Sequence, residues 1–208
     1  MFEVVTTKKQ QKQFETTWEY FCDKFGWVND PYTPNGIRYT VQHPDNRKKV
    51  IGTIEFTPYS SNIKSSTVEK HFAFASIEMI MQHQARTWEI DKLCLHKDFH
   101  RMGLFREFIS IYYHHAIQYQ PKYYVGMMEK KFFRMARIVL GLKVIQLGED
   151  QGSSHNALVP VLLDIETIMK DKNLLEKLLA DSGENHQQNK KSIIRTFIGQ
   201  YKHYFQKK

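Results

Sequence analysis

The residue types best suited to chemistry lie between Thr87 and Ser110. Glu89 and Lys92 stand three apart in a short run that continues through Leu93, Cys94 and Leu95. The apolar part of that run suits a buried strand. A basic turn follows, from His96 to Gly103, with Lys97, His100, Arg101 and a single glycine. Leu104, Phe105, Phe108, Ile109 and Tyr112 then recur at the spacing of one helix face. Strand, basic glycine-bearing turn and helix aim backbone N–H groups and the positive end of a helix at an anion. The expectation is a phosphate-bearing ligand at Arg101 to Phe105, within a segment His100, Arg101, Met102, Gly103, Leu104 and Phe105. Strict strand alternation puts Glu89 and Lys92 on opposite faces, so they share a cleft only if a bulge intervenes.

Bulk properties narrow the classes. The chain has 208 residues, 41% hydrophobic and 13% aromatic, enough for one sizeable core and too apolar for wholesale disorder. No run approaches the ~20 apolar residues of a membrane span, and Met1 to Gln13 is polar, with no apolar signal-peptide core. The only cysteines, Cys22 and Cys94, fall in expected regular elements, which suits reduced thiols in a cytoplasmic protein. The ten histidines are scattered without zinc-ligand spacing, so no metal site is expected. A formal charge of +8 attracts acidic proteins, nucleic acid or phosphorylated cofactors without choosing among them.

The elements that must position the chemistry read as follows. Phe14, Trp18, Phe21 and Phe25 mark an amphipathic helix ended by Gly26. Asn29 to Gly36 is turn chemistry. Arg38 to Val41 and Val50 to Phe56 are expected strands joined by a turn from His43 to Lys49. Thr57 to Lys70 is polar, and Phe72 to Met81 has mixed period, readable as strand or helix. Tyr123 to Met128 is a strand, Phe132 to Leu140 a helix closed by Gly141, and Leu142 to Leu147 and Leu158 to Ile165 two more strands. This is a mixed α/β layout around one central sheet. The spacing predicts a helix from Ile165 to Leu179 and a basic amphipathic one from Ile193 to Phe205, forming a helical C-terminal extension (167–208) beyond a domain of residues 1–166.

The order of elements and these residues together resemble the general-control-related N-acetyltransferase (GNAT) fold. Members carry Arg/Gln-x-x-Gly-x-Gly/Ala after the fourth strand. Here His100 to Phe105 matches with the central Gly103, while His100 and Phe105 depart. More specific features resemble the acyl-homoserine-lactone synthases and N-acyl amino acid synthases of that fold. These are Phe21 and Trp27 around Gly26; Glu89, Lys92 and Leu93; Arg134-x-x-Arg137 with Gly141; and Leu147-Gly148-Glu149. The resemblance implies transfer of an acyl group from an acyl-CoA, acetyl-CoA or acyl-carrier-protein thioester to a small-molecule amine, with an amino acid as one candidate. It implies Glu89 as base, with Lys92 beside it. It also implies that amides near Leu93, Cys94 and Leu95 stabilise the oxyanion, and that the 100–105 segment holds the cofactor phosphates. Trp27 and Arg38 are the residues for substrate, Arg38 as a fork for a carboxylate. Arg38 has the wrong sign for the cationic adenosylmethionine of lactone synthesis. Arg137 stands where acetyltransferases often place a tyrosine acid. The rivals are a plain small-molecule N-acetyltransferase and a non-catalytic GNAT-like module, which the charge would direct to nucleic acid.

Overall fold

The computed structural model describes residues 1–100, 102–152 and 157–180. Seven strands form one sheet in the order β1-β2-β3-β4-β5-β7-β6. The strands are β1 (Phe2–Val4), β2 (Ile37–His43), β3 (Asn46–Pro58), β4 (Thr87–Leu95), β5 (Tyr123–Glu129), β6 (Val144–Gln146) and β7 (Leu158–Asp164). Every neighbouring pair is antiparallel except β4 and β5. The helices are α1 (Lys8–Phe25), α2 (Glu78–Gln82), α3 (Phe105–Tyr119), α4 (Lys130–Ile138), α5 (Ile165–Lys170) and α6 (Lys172–Ala180). No helix among the described residues is long and apolar enough to cross a membrane.

Helix α1 starts where Thr7 and Gln10 form a reciprocal capping box. It ends at Gly26, whose φ of 67° is the left-handed conformation that glycine adopts without steric cost. Phe14, Trp18, Phe21 and Cys22 are its buried stripe. On the other side of the sheet, α3 buries Phe108, Ile109, Ile111, Tyr113, His115 and Ala116. The main core includes Tyr39, Ile54, Phe56, Phe108, Ile111 and Tyr124. Phe56 stacks on His115 at 4.1 Å, which fixes the α3 side as the face carrying Ile54 and Phe56. Thr53, Glu55 and Thr57 therefore point to the α1 side.

Several expectations need correction. The turn between β2 and β3 is confined to Pro44 and Asp45, because β3 already begins at Asn46. The ambiguous stretch from Phe72 to Met81 is neither strand nor one long helix: a single turn at Phe74–Ser76 precedes the five-residue α2. The helix read from Ile165 to Leu179 is two, because the Asp171 side chain accepts from Leu174 N at 3.0 Å and starts α6 afresh. Strand β1, in the polar start of the chain, carried too little apolar pattern to be read. The expected basic helix from Ile193 to Phe205, with Lys190, Lys191, Arg195 and Lys202, lies outside the described residues.

Candidate active site on the bulged strand

The register across β3 and β4 decides the geometry. Thr53 lies opposite Cys94 and Glu55 opposite Asp91, so β4 fits one extra residue into that interval. Lys92 occupies it with φ 51°, left-handed for a non-glycine residue. Such a conformation costs on the order of 1 kcal/mol and persists where surrounding contacts hold it. Without this bulge Lys92 would face α3. With it, Glu89, Asp91, Lys92 and Cys94 all fall on the α1 side, opposite Thr57, Glu55 and Thr53. The condition for Glu89 and Lys92 to share a face is met.

They do not pair with each other. Lys92 is 1% exposed, and its ammonium sits 2.8 Å from Glu55 Oε2 and 2.9 Å from Asp91 Oδ2. The Glu55 contact is an ion pair rather than a well-aligned hydrogen bond, since among the described residues Oε2 has no partner meeting hydrogen-bond geometry. Burial works against the Lys92 charge, but Asp91 and then Glu55 outweigh it and hold the ammonium above its ordinary pKa. Glu55, fully buried, also binds Arg38 at 2.7 Å and accepts from the Thr33 hydroxyl at 3.2 Å. Gly36 makes that approach feasible: a Cβ there would stand 2.1 Å from Glu55 Oε1. The Tyr32 ring lies near both cations, 5.5 Å from Arg38 Cζ and 5.4 Å from Lys92 Nζ.

Glu89 is fully buried and held by the loop after β3. It accepts from Thr67 N at 2.9 Å, from Thr67 Oγ1 at 3.0 Å and from Ser60 N at 3.5 Å. Desolvation raises its pKa, and hydrogen bonds from Ser66, Thr67 and Ser60 oppose that rise. A carboxylate of this kind can exchange a proton nearer neutrality than an exposed one.

Beside these groups the sheet opens. Strands β4 and β5 pair only from Thr87 to Glu89 against Tyr123 to Val125. Gly126 lies where they part: a Cβ there would stand 3.0 Å from the Ile90 carbonyl oxygen. Beyond it β5 continues against β7 and β4 against β3, leaving a notch between Ile90–Leu95 and Met127–Glu129. His96 N bonds Ile51 O at 2.8 Å, so the same alternation pairs Cys94 with Thr53 and turns the amides of Leu95 and Leu93 towards the notch. The Cys94 thiol is pushed up to about 12, first by burial, and lies 3.0 Å from Thr53 Oγ1. It is a neutral packing group, not a nucleophile.

At the end of the notch lies the basic turn. His100 Nε2 lies 2.8 Å from the Leu95 carbonyl oxygen, a contact in which the ring nitrogen carries the proton and donates it. Gly103 takes φ 68°, Met102 is exposed, Leu104 is buried and Phe105 begins α3. Arg101 lies outside the described residues. Trp27 packs in an aromatic group, stacked on Trp18 at 5.5 Å and on Phe21 at 6.3 Å. An apolar cavity of about 50 Å³ lies behind the turn among α3, α4 and α6, lined by Phe105, Ile109, Phe132, Ala136, Leu175 and Leu178 among others.

No family model matches the sequence, and no curated protein matches it. Solved structures do. BjaI, a CoA-dependent acyl-homoserine lactone synthase solved with SAM and isopentyl-CoA, superposes with a TM-score of 0.62 at 12% identity, over 89% of this chain and 90% of its own. FeeM, an N-acyl amino acid synthase from uncultured soil microbes, gives 0.58 at 10% identity over 80% and 92%. The fold is the GNAT type. TofI in its apo form gives 0.61 at 13% identity over 85% and 96%. Identities this low show a shared fold and leave the chemistry to this chain's own residues.

Sequence reasoning named Glu89, Lys92 and the strand amides near Leu93 to Leu95. The bulge brings Glu89 and Lys92 to one face, whereas the Cys94 amide pairs with β3 and only those of Leu93 and Leu95 turn to the notch. That reasoning missed Glu55, Asp91, Tyr32 and Thr67. Glu55 carried a readable signal, a carboxylate set between the apolar Ile54 and Phe56. Thr67 carried none, sitting in a polar loop.

Proposed function

We propose that the protein transfers an acyl group from a thioester, carried by coenzyme A or an acyl carrier protein, to the amine of a small molecule. The observation that carries this reading is the β4 bulge, which sets Glu89, Asp91 and Lys92 on one face beside the β4–β5 notch. In the proposed step the amine nitrogen attacks the thioester carbonyl carbon. The N–C bond forms, the C–S bond breaks, and the thiolate leaves to take a proton from solvent. Glu89 accepts the proton that the amine loses, directly or through a water, a contribution of about 10²–10⁴-fold. The amides of Leu93 and Leu95 stabilise the oxyanion. The turn at His100 to Phe105 receives the donor's phosphates, with Lys97 adding charge.

Two features refine the substrates. Trp18 Nε1, the Tyr32 hydroxyl and Arg38 Nε are buried on the α1 side without a hydrogen-bond partner among the described residues. Three unmet groups that can donate favour an acceptor bearing oxygen acceptors, as an amino acid carboxylate does. Arg38 spends its other nitrogens on Glu55, Thr33 O and Gln11, so only Nε is free of these contacts. The apolar cavity behind the turn favours a donor chain longer than acetyl, because a two-carbon group would leave it unused. Calorimetric titration with acetyl-, octanoyl- and palmitoyl-CoA tests the reading. Binding that strengthens from acetyl to octanoyl supports it, and equal affinity for all three would favour a plain N-acetyltransferase. Failure to bind any of them, with salt-dependent DNA binding instead, would favour a non-catalytic module.

A further inference from the structure

The loop from Tyr59 to Ala73 was unremarkable as sequence, yet it supplies every polar contact described for Glu89. Thr67 gives it two bonds, from backbone N at 2.9 Å and hydroxyl at 3.0 Å. The loop is itself tied down. Ser66 Oγ accepts from Val68 N and Glu69 N. Glu69 accepts from the Tyr59 hydroxyl and from Ala75 N, and Lys70 pairs with Asp30 of the loop after α1. Thr67 is thus presented to Glu89 by a turn held at three further points. We propose that Thr67 is the positioning residue for Glu89, its hydroxyl orienting the buried carboxylate and favouring its ionised form. This rests on the reading of Glu89 as the base.

The physical case is a balance of opposed terms. Burial disfavours a charged Glu89, and among the described residues no ion pair to it is found: Lys92 is taken by Glu55 and Asp91. Among the described residues, the titratable groups facing this region include Tyr59 and Glu69 from the loop, Asp91 and Lys92 from β4, and Glu55 from β3; β5 contributes Val125 opposite Glu89. Hydrogen bonds are therefore what keeps the carboxylate ionisable. A hydroxyl bond to a charged acceptor is stronger than a neutral one, and the Thr67 hydroxyl lies 3.0 Å from Glu89 Oε2 beside the backbone N–H of the same residue at 2.9 Å.

The test compares Thr67→Val, nearly isosteric, with Thr67→Ser, which keeps the hydroxyl. The Glu89 carboxyl is followed by ¹³C NMR of glutamate-labelled protein across pH, its signal assigned by loss in Glu89→Gln. Thr67→Val is expected to raise the Glu89 midpoint by about one pH unit, and Thr67→Ser to return it. The acid limb of kcat/KM for thiol release from octanoyl-CoA, with a mixture of amino acids as acceptors, should move in parallel. An unmoved NMR midpoint in Thr67→Val overturns the proposal whatever the rate does. A midpoint that moves while Glu89→Gln keeps full turnover overturns instead the assignment of Glu89 as base. Thermal melts of the three variants show that each is folded before the comparison is made.

Discussion

Replacing Lys92 by methionine removes the centre of the buried charge network while keeping the length of its apolar stem. The left-handed backbone is equally awkward for both residues, so that cost cancels. What remains is electrostatic. Lys92 Nζ lies 2.8 Å from Glu55 and 2.9 Å from Asp91, and Glu55 is fully buried. Without the ammonium, Glu55 keeps Arg38 and Thr33, and Asp91 keeps partial solvent access. Removing one partner of a buried pair costs about 3–5 kcal/mol; the surviving Arg38 contact argues for the lower end, about 3 kcal/mol. For a chain of this size that lowers Tm by about 6–12 °C. Urea denaturation at pH 7 measures it. Adding Glu55→Gln should then recover part of the loss, because the amide leaves less uncompensated charge while still accepting from Arg38. A coupling of about 1–2 kcal/mol is expected from the double-mutant cycle. A loss below about 1 kcal/mol for Lys92→Met, or strict additivity of the two substitutions, would refute the idea that this pair secures the bulge.

Three other outcomes follow from the geometry. Gly36→Ala should cost about 2 kcal/mol or more in chemical denaturation, since its Cβ would press on Glu55 and Thr33; an unchanged midpoint would mean the turn shifts freely. His115 is fully buried, with Nδ1 2.6 Å from the Tyr124 hydroxyl, and burial, then His114, pushes its pKa down to about 3. The unfolded chain therefore takes up a proton first, and the stability His115 contributes is present above about pH 6.5 and lost as pH falls towards 3. Relative to His115→Gln, the wild type should lose about 1.4 kcal/mol per pH unit across that window, and a constant difference would contradict neutral burial. Ala136→Phe should fill the apolar cavity and weaken octanoyl-CoA binding about tenfold while sparing acetyl-CoA, on the scale of one lost side-chain contact; calorimetry reads both.

Where the sequence was legible, one pattern dominated each element. The stripe from Phe14 to Phe25 and the glycine after it gave α1, and the apolar run at Tyr123 gave β5, because burial on one face imposes the period. The bulge was legible only as a condition. Alternation put Glu89 and Lys92 apart, and nothing in Glu-Ile-Asp-Lys announces a left-handed lysine; it is held there by Glu55, about forty positions earlier in the chain, through a contact that local pattern cannot carry. Thr67 was hidden for the same reason. A threonine in a polar loop becomes informative only once the fold lays it over a buried carboxylate. The break at Asp171 was misread because apolar spacing continues across it, whereas the aspartate caps a new helix.

The central claim is that the notch beside the β4 bulge carries out acyl transfer to an amine. Its most direct test is mass spectrometry of the products formed from octanoyl-CoA, or octanoyl carrier protein, with a mixture of amino acids. An octanoyl amide appearing in step with free thiol, and falling about 10²-fold or more in Glu89→Gln, is the predicted result. No amide from either donor, or an amide formed equally well by Glu89→Gln, would contradict it.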